Sequence, residues 1–140
     1  MSSDLQRFIA AQDPVFATVI AELRAGRKSS HWMWFIFPQH RALGRSAMAV
    51  RYGLVSLAEA RDYAQHPVLG PRLRECVDAM LAAPAELSAH AILGSPDDLK
   101  FRSSMTIFAL AAPEDSRFRA AIDRFYEGAL DARTVELLRA

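Results

Sequence analysis

Cysteine is nearly absent. Cys76 is the only one in 140 residues, so no internal disulfide forms and no thiolate-rich metal site assembles. A reducing compartment is expected. The cytoplasm is the default location, because Met1-Ser2-Ser3-Asp4-Leu5-Gln6 shows no basic region leading into an apolar core of the secretory kind. Lysine is almost as scarce: among 17 Lys and Arg residues, only Lys28 and Lys100 are lysines. A net charge of +1 leaves no electrostatic footprint for nucleic acid or an anionic membrane. No apolar run reaches the roughly 20 residues that a bilayer-spanning helix needs. The P-loop, G-x-G-x-x-G, G-x-S-x-G and H-E-x-x-H patterns are missing. The four histidines, His31, His40, His66 and His90, lack the spacing of a zinc site. No metal and no cofactor are expected, and no nucleic-acid or membrane partner. A protein partner is not indicated by composition.

What is present is apolar. Hydrophobic residues make up 51% and charged residues 24%, as in ordinary globular proteins. A chain of this length buries roughly 68–70% of the surface it exposes when unfolded, enough for one domain over residues 1–140. One stretch stands out: His31-Trp32-Met33-Trp34-Phe35-Ile36-Phe37-Pro38-Gln39. It holds both tryptophans and two of the eight phenylalanines. It follows no single period, so helix and strand both fit its pattern. Pro38 biases Phe37 towards extended backbone and ends any helix there. Arg27-Lys28-Ser29-Ser30 precede it and His40-Arg41 follow. Such a block is either a core plug or the wall of a ligand pocket, and both readings stay open.

The remainder reads as helices. Ser3 with Gln6 is a capping box, opening a helix with Leu5, Phe8 and Ile9 inward. Asp13-Pro14 is a second start, an aspartate cap followed by proline at the first helical position. Val15, Phe16, Val19, Ile20 and Leu23 form its stripe, and Gly26 closes it. Residues 41–53 are weakly patterned and read as a loop with one short helical turn. Ser56 and Glu59 make another capping box, with Leu57, Ala60, Tyr63 and Ala64 inward as far as Pro67. Leu73, Cys76, Val77, Met80 and Leu81 mark the next helix, which makes Cys76 a core residue rather than a nucleophile. A short helix ends at Gly94. Ser95-Pro96-Asp97-Asp98 then packs a serine cap, a proline and two first-turn carboxylates together. From there to about Ala111, Leu99, Leu110 and Ile107 cover one side and Phe101, Phe108 and Met105 the other. A helix apolar nearly all round is a buried one. Phe118, Ala121, Ile122 and Phe125 give another amphipathic helix, and Asp131 caps the last. The expected fold is all-α, a single multihelical domain of about seven or eight helices packed around the helix at about residues 96–111.

Chemistry has three candidate locations. On the central helix, Lys100 lies close to Ser104, with Ser103 beyond Ile107. An ammonium in that setting needs a partner or a cavity, and Asp97 one turn earlier is available. Either Lys100 and Asp97 form a structural pair with the serines bonded back to helix carbonyls, or Lys100, Ser103 and Ser104 line a polar pocket that takes an anion. In the aromatic stretch, Trp32 and Trp34 are core or stack a planar ring, while His31 and Gln39 at its ends suit polar recognition. In the loop, Gly44-Arg45-Ser46 combines glycine, cation and hydroxyl, as a phosphate cradle does.

Several strings together resemble a family. They are Gly26-Arg27-Lys28 with His31 to Gln39; Glu59-Ala60 with Tyr63 and His66-Pro67; Leu69-Gly70 with Arg72-Leu73; Gly94-Ser95-Pro96-Asp97 with Lys100; and Ser103-Ser104-Met105-Thr106 with Phe108. The chain resembles the bacterial domain-of-unknown-function family numbered 1810 over nearly its whole length. The resemblance implies a compact all-helical fold and no established activity. A fainter similarity runs to the NADAR-type N-glycosidases, which act on ADP-ribose derivatives. It lies in the alanine–aromatic–histidine helix end, Leu69 with Arg72-Leu73, and an acidic turn before a lysine. It carries over no catalytic residue and implies a nucleotide-like ligand.

The expected function is therefore small-molecule binding, of a nucleotide-like or phosphorylated metabolite, between the His31–Gln39 stretch and the Lys100 helix. Trp32 or Trp34 stacks a ring, Lys100 and Arg45 hold the anion, and His31 is the acid–base group if the site is enzymatic. The alternative is a non-enzymatic protein–protein interaction module, which requires a contiguous exposed apolar patch.

Overall fold

Four helices open on a side chain that accepts a backbone N–H left without an intrahelical partner. Ser46 accepts from Ala49 (3.1 Å), Ser56 from Glu59 (3.1 Å), Ser88 from Ala91 (3.0 Å) and Asp131 from Thr134 (3.0 Å). A computed structural model describes residues 4–139. Its helices are α1 (Gln6–Gln12), α2 (Phe16–Arg24), α3 (Met33–Ile36), α4 (Ala47–Arg51) and α5 (Leu57–Gln65). They continue as α6 (Leu69–Leu81), α7 (Ala89–Leu93), α8 (Asp97–Ala111), α9 (Arg117–Tyr126) and α10 (Ala132–Arg139). A single 3-10 turn covers Arg41–Leu43, and no strand occurs among the described residues. The fold is all-α, as expected. The extra helices are α3 and α4, of four and five residues, too short to show a repeating apolar stripe. α3 ends at Ile36, and Phe37, the residue before Pro38, already leaves helical backbone, as the proline requires.

Some start signals act elsewhere. The Ser3 box lies outside the described residues. Asp13 does not cap α2, which begins after Val15; its carboxylate meets Arg72 at 2.9 Å instead. Ser95 does not cap α8, whose first residue, Asp97, follows Pro96 across a cis Ser95–Pro96 peptide. Ser56 caps α5 as expected, but Glu59 does not reach back to it. The Glu59 carboxylate is buried, accepts from the Val55 N–H (3.0 Å) and pairs with Arg7 (3.5 Å). Leu57, expected inward, is 39% exposed. It occupies the first position of the helix, outside the face that Glu59 and Ala60 turn inward.

α8 is the centre. It packs against α5, α7, α9 and α10. Nine of its 15 residues are buried. Aromatic contacts radiate from it: Phe101 meets Phe37 edge-on at 4.8 Å, and Phe108 meets Tyr63 at 5.4 Å and Phe118 at 5.6 Å. Its first turn is different. Leu99, expected inside, is 58% exposed, because the helix enters the core only at Phe101. Cys76 is a core residue, as read, and burial pushes its thiol up to about 12.

The preference for arginine has a structural use. Helix C-termini leave carbonyls without partners, and a guanidinium presents five donors in a planar fork. Arg124 donates to the carbonyls of Met80, Leu81, Ala83 and Pro84 at the end of α6. Arg74 donates to Ala64 at the end of α5 (2.7 Å), and Arg61 to Ala111 at the end of α8 (2.6 Å). Arg102 reaches Ala129 and Leu130 beyond α9. One ammonium cannot span four carbonyls in this way. Arg124→Lys is expected to cost about 1–3 kcal/mol of unfolding free energy in urea. Trp32 is 1% exposed. Trp32→Ala is expected to cost about 3–5 kcal/mol, and the same substitution at half-buried Trp34 clearly less, so equal losses would contradict this packing.

Candidate functional site

The two lysines of the chain meet at one carboxylate. α2 ends at Arg24 and is closed by Gly26, whose φ of +74° suits a residue without a Cβ. The chain then folds back over α2. Glu22 gathers it, accepting from the N–H groups of Ser29 (2.8 Å) and Ser30 (3.1 Å), the Ser30 hydroxyl (2.5 Å) and the Trp32 indole (2.9 Å). Burial works to raise the Glu22 pKa, but these donors, led by the Ser30 hydroxyl, outweigh it and hold it at about 2. The Lys28 N–H donates to the Ile92 carbonyl of α7 (2.7 Å), tying this turn to the approach to α8. Lys28 Nζ then lies 3.0 Å from Asp97 Oδ2 and 5.1 Å from the Trp32 ring centroid, with 9% of its side chain exposed. Asp97 opens α8, where the helix dipole favours a carboxylate.

One turn on, Lys100 Nζ lies 3.8 Å from Asp97 Oδ1 and 5.9 Å from the Trp34 ring centroid. At 3.8 Å the contact is electrostatic and too long for a hydrogen bond. Each lysine thus sits over one of the two tryptophans, and both share Asp97. Lys28 is the buried, close partner. Lys100 is 28% exposed and its ammonium has no hydrogen-bond acceptor among the described residues.

Lys100 stands at a crevice formed with Trp34, Phe37, Gln39, Ala49 and Tyr52. Its free volume is about 10 Å³, room for about one water. The backbone of Gln39 is held by Leu54, whose N–H donates to the Gln39 carbonyl (2.9 Å) and whose carbonyl accepts from Arg41 (2.8 Å). Gln39 lines the crevice, and its side-chain amide makes no hydrogen bond among the described residues.

Of the residues expected to bind, Trp34, Gln39 and Lys100 come together here. Trp32 lies behind them in the core, its N–H taken by Glu22. His31 is exposed and outside the crevice wall. Ser103 donates back to the Leu99 carbonyl (3.2 Å), and Ser104 is buried with no partner for its hydroxyl; neither reaches the crevice. Ser46 is occupied as the α4 cap. Gly44 lies against α4 so closely that a Cβ would fall 2.7 Å from that of Ala49, so its role is packing. Arg45 is exposed and makes no ion pair among the described residues. Lys28 and Glu22 were missed as site residues. The scarcity of lysine was a signal for Lys28; nothing in the pattern of α2 marks Glu22.

A larger concavity lies elsewhere. About 660 Å³ opens between α2, α6 and α9, beside Arg24, Arg74 and Arg117. These guanidiniums are already matched: Arg24 to Glu75 (3.3 Å), Arg74 to Asp115 (2.7 Å) and Arg117 to Asp78 (3.3 Å). It offers a ligand no unsatisfied cation, whereas the small crevice does.

The Glu22 cluster has a pH signature. A carboxyl held at about 2, below its ordinary 4.5, contributes stability in full above pH 4.5 and loses it as pH falls towards 2. Denaturation measured across that window is expected to show a shallower acid loss in Glu22→Gln than in the native protein. Parallel curves would remove the cluster as a source of acid sensitivity.

The family model described as "Protein of unknown function (DUF1810)" matches residues 2–138. No curated protein matches the chain. The crystal structure of the conserved hypothetical protein Rv1873 from Mycobacterium tuberculosis is similar, with 52% identity over 98% of this chain and 97% of that one, and a TM-score of 0.95. The chain therefore belongs to the DUF1810 family.

Proposed function

We propose that the protein binds a small anionic ligand carrying a planar ring, of the nucleotide-like or phosphorylated-metabolite kind, at Trp34, Gln39 and Lys100. One observation carries this reading: an ammonium without a hydrogen-bond acceptor stands beside an indole face and an amide without a partner. Lys100 takes the anion, Trp34 stacks the ring and Gln39 bonds its polar edge. Stacking of this kind contributes about 1–3 kcal/mol per base. The ligand lies across the mouth, since the interior admits about one water. Lys28 holds Asp97 and through it the position of Lys100. Gly44-Arg45-Ser46 and His31 lie outside this core. The protein works in the cytoplasm on this reading, with a lone, buried thiol suited to reducing conditions. Among the described residues no helix is long and apolar enough to cross a membrane.

A second reading, docking of a protein partner, draws on Met48, Val55 and Leu57, three exposed large apolar side chains within ten residues of sequence. A thermal-shift panel of nucleotides and phosphorylated metabolites separates the two. A ligand at about 100 times its Kd adds about 2.7 kcal/mol and raises Tm by roughly 5–10 °C. The shift is expected to vanish in Lys100→Ala and to shrink in Trp34→Ala. A shift that survives Lys100→Ala refutes the proposed site, and no shift across the panel favours the docking surface.

A further inference from the structure

One short segment closes the crevice. Trp34 and Phe37 come from α3 and its end, Lys100 from α8, and Ala49 from α4. α4 and the 3-10 turn before it lie between the two sides of an isolated parallel bridge, His40 to Leu54. Two bonds make that bridge: the Leu54 N–H to the Gln39 carbonyl (2.9 Å) and the Arg41 N–H to the Leu54 carbonyl (2.8 Å). A surface segment whose ends meet in this way and which packs on itself is an Ω-loop. Its hydrogen bonds turn inwards. His40 Nδ1 accepts from Ala42 (3.0 Å), Ser46 from Ala49 (3.1 Å), and the Tyr52 N–H donates to the Met48 carbonyl (3.1 Å). From Arg41 to Arg51 no side chain joins the core, whereas Tyr52 and Leu54 at the foot do. Tyr52 is held by Phe35 at 5.4 Å and Phe8 at 5.8 Å. Ala49 is the one buried residue of the body, and it packs on Gly44 of the same segment and over the crevice. Among the described residues, one outside side chain bonds to the body. Arg7 of α1 donates to the Arg51 carbonyl (2.8 Å) and to the Gly53 carbonyl at the foot (3.2 Å), and buried Glu59 holds Arg7 in turn (3.5 Å).

We infer that residues 41–51 are a flap over the crevice, swinging on the His40–Leu54 bridge with Arg7 as its latch, and that a planar ring reaches Trp34 when the flap lifts. The ring's place rests on the proposed binding reading; the motion does not. A segment with so little buried apolar surface opens at the low end of the local stability scale, well below global unfolding. Lifting Ala49 removes one wall. It leaves the others standing, because Phe37 packs on Phe101 at 4.8 Å and Lys100 belongs to the long central helix. The closed crevice has room for about one water, so a ring needs that wall moved.

The test compares a thiol on the crevice side of α4, introduced by Ala49→Cys, with one at an exposed position of the same helix, introduced by Ala47→Cys. The native thiol of Cys76 is buried in the core and supplies the unreactive background. Two reagents are used: methyl methanethiosulfonate, which is small, and dithiobis(nitrobenzoate), a planar ring bearing a carboxylate. Both are expected to modify Ala49→Cys more slowly than Ala47→Cys, by one common factor of roughly 10–1,000, the inverse population of an open minor state. Adding Arg7→Lys keeps a cation beside Glu59 but loses the fork across two carbonyls, and is expected to raise both rates about fivefold. A factor much larger for the ring reagent reports local breathing only and overturns the flap. Modification of Ala49→Cys as fast as Ala47→Cys overturns it too, and rates unmoved by Arg7→Lys overturn the latch. Should Ala49→Cys fail to fold, limited trypsin digestion of the native chain decides. The first cut away from the chain ends is expected after Arg41, Arg45 or Arg51, and a first cut outside the segment overturns the flap. No arm uses a nucleotide, so failure of the flap and failure of the binding reading are read separately.

Discussion

The carboxylate of Glu22 carries the aromatic stretch. A buried indole N–H without an acceptor costs about 1–3 kcal/mol, and Trp32 is one of the largest fully buried side chains. Its acceptor comes from the last turn of α2, and the same carboxylate also satisfies Ser29 and Ser30. The turn after Gly26 is thereby held to the helix that precedes it. Everything downstream depends on that return. It sets Trp32 against Phe37 at 6.1 Å, Phe37 against Phe101, and Lys28 against Asp97. The donors to Glu22 hold it ionised against the opposing effect of its burial.

Two demands meet on α8. From Phe101 onwards it fills the core, and in its first turn it presents charge. A uniformly apolar helix could not supply Asp97 and Lys100, and a uniformly amphipathic one could not serve four neighbouring helices. Division along the axis, rather than around it, meets both. The buried polar groups follow from this. Thr106 donates back to the Arg102 carbonyl (2.8 Å) and accepts from the Asp131 N–H (2.9 Å), which fixes the entry to α10. Ser103 bonds within the helix, as one of the two sequence readings of the serines holds.

Local signals were read well where they act locally. Ser56, Asp131, Gly26 and Pro38 each govern a turn that needs only neighbouring residues, and each does what its chemistry predicts. Asp13 carries the same kind of signal but meets Arg72 instead, and Ser95 lies one residue too early, since Pro96 takes the cap position of α8. The Asp97–Lys100 pair was legible because it spans one turn. Lys28 was not, because its partner lies about half the chain away and only the fold joins them. The aromatic stretch is both things its composition allowed: Trp32 is plug and Trp34 is half-buried wall. A single period could not show this, since α3 is barely one turn long.

Use of guanidinium at the helix ends has a chemical corollary. Arginine side chains do not react with the common acylating reagents, and the chain has only two lysines, so its surface is almost devoid of nucleophilic amines. Lys28 is shielded by Asp97 and Trp32. Among the described residues, Lys100 is the one amine open to solvent. Limited acylation followed by mass mapping therefore reads the environment of a single side chain, and the protein carries its own reporter at the place where its binding chemistry is proposed.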